Sequence, residues 1–293
     1  MQSTPPTDLA DRVIVLTGAT SGIGRRAAAT LAERGATVAA VGRNRERGEA
    51  LAAESDATAG RVRFHRADLA TRSAVRDLAA ELRESYARLD ALAHNAGLSA
   101  GSRTETADGT ELTLAVNHLA PYLLTRELFD RLAASAPARV VVTASDLHRR
   151  ATLDFDDLQL ADGYDPLDAY ARSKLANVAF TLELADRIPD DAGVTANCLH
   201  PGFVPSTNLF RDAALRTRLA VRVAGLVPGV GTTRQAAADR LVRLVASPEY
   251  AERTGRYVGE EELTPADPAT DPETRERLWT VSADLVGVDP DWP

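Results

Sequence analysis

The sequence predicts a doubly wound α/β domain, a parallel sheet of about seven strands with helices on both faces. Two observations predict it. Short β-branched apolar runs alternate with Ala-rich amphipathic runs from residue 12 to residue 258, and the first apolar run leads straight into a glycine-rich loop that opens a helix. Near-continuous apolar strands separated by helices belong to a parallel sheet covered on both sides. A closed barrel shares that alternation, and the glycine loop decides for the open sheet. A chain of 293 residues can bury a full core as a single domain over 1–293.

The elements follow in order. Residues 12–17 (RVIVLT) read as the first strand and 23–34 as its helix, closed by Gly35. Residues 36–41 and 46–54 form the second strand and helix, and 62–65 and 73–88 the third pair. A fourth strand is expected at 89–94, a single long helix at 111–133, and a fifth strand at 139–143. Residues 168–187 form a helix that ends before Pro189, and 194–199 the sixth strand. A helix at 233–246 and a seventh strand at 255–258 complete the alternation. Two segments, 146–166 and 203–231, break the pattern after the fifth and sixth strands. Both leave carboxyl ends of strands, where open sheets bind ligands, so both are expected to cover a substrate, the second as a lid. Residues 1–10 are expected to be a mobile tail. Residues 260–293 form a C-terminal extension, expected as an amphipathic helix followed by a loose tail.

Composition narrows the function. Formal net charge is −8, which argues against a nucleic-acid partner. Cys198 is the only cysteine, so no intrachain disulfide or multi-thiolate metal site is expected. The first residues lack an apolar leader and no run is long enough to span a membrane, so a cytoplasmic protein is expected. Of the 34 basic residues 33 are arginine, and the one lysine is Lys174. A lysine ammonium is compact and its pKa can be moved, which a guanidinium does not offer.

The loop TGATSGIG spans residues 17–24. Gly18 permits the turn out of the strand, Gly22 lets backbone approach a pyrophosphate, and Gly24 allows close helix–sheet packing. Thr20, Ser21 and Ile23 share that loop, and the helix start supplies free N–H groups to a phosphate. A dinucleotide site for NAD ordinarily carries an acid at the end of the second strand. Here the strand runs into Gly42, Arg43 and Asn44. A missing acid and an arginine suited to a 2′-phosphate favour NADP(H), although Arg43, Arg45 and Arg47 also read as a solvated helix start. Asp68-Leu69 and Asn95-Ala96-Gly97 follow the third and fourth strands, beside the same crevice.

Tyr170 and Lys174 are four residues apart on a predicted helix and share one face. A phenol titrates near 10, and a neighbouring ammonium favours its ionised form. Ser145 ends the fifth strand and can donate to a carbonyl oxygen. Asn117, if buried, could hold a water beside Lys174. Each of these two also reads as a satisfied cap or core polar group.

Taken together the motifs resemble the short-chain dehydrogenase/reductase superfamily in its single-domain branch, over about residues 12–257. They are TGATSGIG, DL at Asp68, HNAG (94–97), VNHLAPYLLT (116–125), VVVTAS (140–145), YARSKLANV (170–178) and NCLHPGFVPST (197–207). VNHLAPYLLT, FDDL, YARSKLANV and LWTVSADLVG (278–287) look most like the retinol-dehydrogenase-like and protochlorophyllide-reductase-like subgroup. The resemblance implies a catalytic tetrad of Asn117, Ser145, Tyr170 and Lys174. Tyr170 would be the general acid or base, with Lys174 binding the nicotinamide ribose and lowering the Tyr170 pKa. Ser145 would polarise the carbonyl, and Asn117 would hold a proton-relay water. Pro201, Gly202 and Val204 would lie near the nicotinamide, with Ser206 or Thr207 on its carboxamide or the pyrophosphate. His94 stands where the family usually has Asn, Ala144 replaces one of a serine pair, and Ser145 precedes Tyr170 by 25 residues.

The expected activity is NADP(H)-dependent hydride transfer between nicotinamide and a fairly apolar carbonyl or alcohol, with no metal. A catalytically silent NADP-binding redox sensor and a sugar-nucleotide epimerase or dehydratase are the rival readings. Relatives often pair through the two long helices, so a homodimer or homotetramer built on 111–133 and 168–187 is expected.

Overall fold

The computed structural model describes residues 9–205 and 231–293. Seven strands run parallel: β1 (Val13–Thr17), β2 (Thr37–Gly42), β3 (Arg61–Arg66), β4 (Ala91–His94), β5 (Ala138–Thr143), β6 (Val194–Leu199) and β7 (Arg256–Val258). A two-residue strand, β8 (Glu262–Leu263), is antiparallel to β7; it is too short to carry a periodicity and was not expected. The sheet order is β3-β2-β1-β4-β5-β6-β7-β8. The order reverses between β1 and β4, which opens a crevice at their carboxyl ends.

Period-two alternation splits each strand between two cores. On one face Ile14, Leu16, Val38 and Ala40 pack with α1 (Gly22–Glu33), with Leu51 of α2 (Arg45–Glu54) and with α6 (Arg234–Ala246). On the other, Val15, Ala39, Val41 and Val140 meet α3 (Arg72–Ser85), α4 (Ala120–Ala133) and α5 (Pro166–Arg187). Each fully buried Leu in these layers stabilises by roughly 1.5–3 kcal/mol. Side-chain caps start several helices: Asn44 accepts from Arg47 N, Asp165 from Leu167 N and Asp168 N, and Thr233 from Ala236 N.

Three expectations change. The helix expected over 73–88 stops at Ser85, because Tyr86 takes an extended conformation and buries its ring, its hydroxyl 2.8 Å from His65 Nε2. The helix expected over 111–133 runs from Leu112 to Ala133 but is not regular throughout. A short turn (Leu112–Leu114) leads into a five-residue wide turn (Ala115–Leu119) before α4. Pro121 has no N–H to give the carbonyl of Asn117 four residues back, so a regular ladder cannot run through this point. The C-terminal tail is not loose. After α7 (Pro272–Val286) the chain returns so that Trp292 Nε1 donates to Tyr122 Oη at 3.0 Å, with Trp292 and Trp279 centroids 4.5 Å apart.

That C-terminal unit covers α4 and α5 over Tyr122 and Phe180, so part of the surface expected for subunit pairing is occupied by the chain itself. Of the expected tail, residues 1–8 lie outside the described residues, while Leu9 is buried and donates its N–H to Arg34 O at 2.9 Å. Of the expected lid, residues 206–230 lie outside them. Among the described residues no helix is long and apolar enough to cross a membrane.

Candidate active site

The crevice at the switch point deepens into a cleft of about 1090 Å³. Its floor is the glycine loop. Gly18 and Gly22 have φ of +68° and +56°, values that disfavour side chains. A Cβ on Gly18 would lie 2.8 Å from Ala96 Cα, and one on Gly24 would lie 2.3 Å from Gly18 O. Gly24 therefore packs helix to loop and does not line the cleft. A Cβ on Gly22 would meet nothing within 4 Å. Ser21 starts α1 with no side-chain cap bond, and Ser21, Gly22 and Ile23 line the cleft with Gly18 and Thr20. A helix start that keeps its N–H groups for the cleft fits a pyrophosphate. Thr17 holds this geometry: its Oγ1 accepts from the Asn95 and Ala96 N–H groups, each at 3.1 Å.

At the β2 end the cleft is lined by Arg43, Asn44 and Arg47. Arg45 instead pairs with Glu49 at 3.3 Å. Asn44 spends Oδ1 on the Arg47 N–H at 2.8 Å, which aims α2 at the cleft. Arg47 was expected only as part of a solvated helix start. Asp68 and Leu69 also line the cleft, and Asp68 is exposed, with Oδ1 accepting the Ala70 N–H at 3.3 Å.

At the other end Tyr170 and Lys174 line the cleft with Ser145, Pro201, Gly202 and Val204. Lys174 Nζ donates to Thr143 O at 2.9 Å and stands 5.6 Å from the Tyr170 ring centroid. A Cβ on Gly97 would come within 3.5 Å of that Nζ, so this glycine keeps the ammonium open to the cleft. Burial lowers Lys174 from 10.5 to about 8, which leaves it an ammonium at neutral pH. Burial also pushes Tyr170 up to about 12, with a hydrogen bond from Ser145 pulling the other way. The lowered phenol expected beside Lys174 is not seen: burial sets the direction, and the group opposing it is Ser145.

Asn117 sits in the wide turn with no exposed surface. Its Oδ1 accepts from Leu98 N, and its Nδ2 donates to Leu98 O and to Ser173 Oγ, each at 2.9 Å. The side chain is a clamp between the loop after β4 and α5. Both amide hydrogens are committed to protein, while Oδ1 keeps a second lone pair. Ser206 and Thr207 lie outside the described residues. Sequence reasoning passed over Arg150 and His200, which also line the cleft. Neither carried a spacing signal, because the loop after β5 and the turn after β6 follow no period.

Residues 12–218 match the family model for short chain dehydrogenase. Retinol dehydrogenase 14 of Mus musculus is 38% identical, over 94% of this chain and 86% of its own length. A candidate daunorubicin C-13 ketoreductase, DnrU, of Streptomyces sp. (strain C5) is 40% identical over 97% of this chain and 96% of its own. The solved Pseudomonas aeruginosa RhlG/NADP active-site complex superposes with a TM-score of 0.70 at 26% identity, over 88% of this chain and 98% of that one.

Proposed function

The chain belongs to the short-chain dehydrogenase/reductase family, in its retinol-dehydrogenase-like subgroup, and from that premise we propose that it is an NADP(H)-dependent reductase of apolar carbonyl compounds. Family membership makes it an oxidoreductase of alcohols or carbonyls that uses a nicotinamide cofactor. One observation carries the finer reading. A buried phenol bonded to Ser145, with an ammonium one helical turn on, lines the same cleft as an uncapped helix start.

When bound, the nicotinamide dinucleotide supplies or receives the hydride. Ser21, Gly22 and Ile23 would hold its pyrophosphate, Arg43 and Arg47 its 2′-phosphate, and Lys174 the ribose nearest the reacting carbon. Ser145 accepts the Leu147 N–H at Oγ, which leaves its own proton for Tyr170 or for a substrate carbonyl. Tyr170, raised to about 12, carries its proton at neutral pH and so is set to protonate a developing alkoxide. The same phenol, once ionised, would accept the proton in alcohol oxidation. A relay water would be held at Asn117, as the family resemblance implies. RhlG, solved with NADP, supports the choice of cofactor, and the DnrU likeness supports a ketone as substrate.

The test is a panel of ketones and aldehydes followed at the nicotinamide absorbance with NADPH and with NADH. Turnover is expected with NADPH. Tyr170→Phe should lower kcat by about 10³-fold, within the range removed with a general acid, while NADPH binding by fluorescence titration stays unchanged. A Tyr170→Phe enzyme that still turns over at the wild-type rate refutes the mechanism.

A further inference from the structure

We propose that His148 is a positioning residue for Ser145: its ring ties the serine carbonyl to the backbone of Ala266 and so fixes where the serine hydroxyl sits. This rests on the reading of Ser145 as the carbonyl-polarising group. Ser145 occupies a hinge, where the extended chain leaving β5 turns at once into the helical turn Asp146–Arg150. At that point main-chain donors of the following turn hold the serine, Leu147 N–H at Oγ and His148 N–H at the carbonyl, and an error of about 1 Å in a reacting group can cost ~10²-fold in rate.

The His148 ring adds to that hold. The side chain has no exposed surface. Its Nε2 accepts the Ala266 N–H at 3.0 Å. An accepting Nε2 puts the ring proton on Nδ1, and Nδ1 lies 2.8 Å from Ser145 O, to which it donates. The same carbonyl receives the His148 backbone N–H at 3.1 Å. One residue thus occupies both lone pairs of the serine carbonyl. Tyr257 stands edge-on to the ring with centroids 5.0 Å apart, closing another side. Burial lowers the His148 pKa, opposed by the bond to Ser145, and a neutral ring is what the Ala266 contact demands, since an imidazolium would set a second N–H against that donor. The bond spans 118 residues of sequence, so the seating of the segment after β8 is mechanically joined to the serine.

The experiment measures steady-state carbonyl reduction with NADPH, and thermal unfolding, for wild type, His148→Asn, His148→Gln, Ser145→Ala and the double variant Ser145→Ala/His148→Gln. An Asn amide nitrogen stands where Nδ1 stands and can still donate to Ser145 O. A Gln carbonyl reaches the place of Nε2 and satisfies Ala266 but gives Ser145 nothing. The expected result is a fall in kcat of roughly 10–100-fold for His148→Gln with an unchanged KM for NADPH, and a loss within about threefold for His148→Asn. The Gln substitution should add nothing to the loss already caused by Ser145→Ala. Equal losses in the two single variants, a wild-type kcat in His148→Gln, or full additivity in the double variant each overturn the proposal. A wild-type protein that reduces no carbonyl on the panel refutes the functional reading instead. Nitrogen NMR of the imidazoles then decides the clamp. A ring protonated only at Nδ1 and absent from the His148→Asn spectrum supports it, and a His148 protonated at Nε2 overturns it.

Discussion

At the reactive end of the cleft, Lys174 and Tyr170 are only 3% and 5% exposed and Asn117 is tied to three protein groups. At the other end, Arg43 and Arg47 stand exposed where β2 leads into α2. One end is a buried arrangement in which desolvation moves proton affinities. The other is an exposed cationic rim. The contrast teaches where substitutions will act: on rate at the buried end, on affinity at the rim.

Lys174→Arg is the harshest test of that contrast. It keeps the positive charge and changes only shape and proton affinity. The ammonium is placed by its bond to Thr143 O at 2.9 Å, a contact that a longer, forked guanidinium cannot repeat in the same position. The kcat for carbonyl reduction is expected to fall on the order of 100-fold or more. An enzyme with wild-type kcat would show that the buried end asks only for charge. That would also remove the reason for keeping a single lysine among 33 arginines.

Arg43→Ala probes the rim and should do less. A charge-assisted hydrogen bond from an exposed arginine contributes about 1.5 kcal/mol, so the Kd for NADPH should rise about tenfold. The Kd for NADH and the kcat at saturating NADPH should stay where they are. Equal weakening for both cofactors, read by fluorescence titration, would mean that Arg43 holds the loop and does not read the 2′-phosphate. Arg47 lines the same rim and limits the size of the effect.

Legibility in the sequence follows the same division. The strands repeat at their own period, the Tyr170–Lys174 pair stands one helical turn apart, and the glycine loop is a contiguous motif, so all three are visible in one dimension. The widened turn at Ala115–Leu119 is hidden because the apolar pattern runs on through it, although Pro121 marks the spot. The clamp made by the Asn117 amide is not visible in sequence because its partners, Leu98 and Ser173, come from distant elements. His148 left no trace, since its role depends on Ala266 across the whole second half of the fold. Trp279 and Trp292 were visible as large aromatics, but only packing on Tyr122 reveals that they seal the tail down. The direction of the Tyr170 shift was missed for a related reason. An ammonium one turn away is a local fact, whereas desolvation is a property of the assembled core.

The smallest expected effect concerns the wall behind the buried end. Burial lowers His94 to about 3 and His118 to about 4, the latter opposed by Asn177, against an ordinary value of 6.5. Both are thus neutral in the folded chain at pH 5, where both are charged once unfolded. Between about pH 4 and pH 6.5 the unfolded state binds more protons than the native one, so stability rises with pH across that window and is lost on acidification. His94 Nε2 lies 2.8 Å from Thr125 Oγ1, which gives its own proton to Pro121 O, so the ring donates there. Gln at position 94 can make the same donation and has no proton to gain. The Tm of wild type should drop steadily from pH 6.5 downward, and His94→Gln should show a shallower drop over the same range. An equal slope in both proteins would place the acid sensitivity elsewhere, and the rim, with its exposed charges, would then be the region to search.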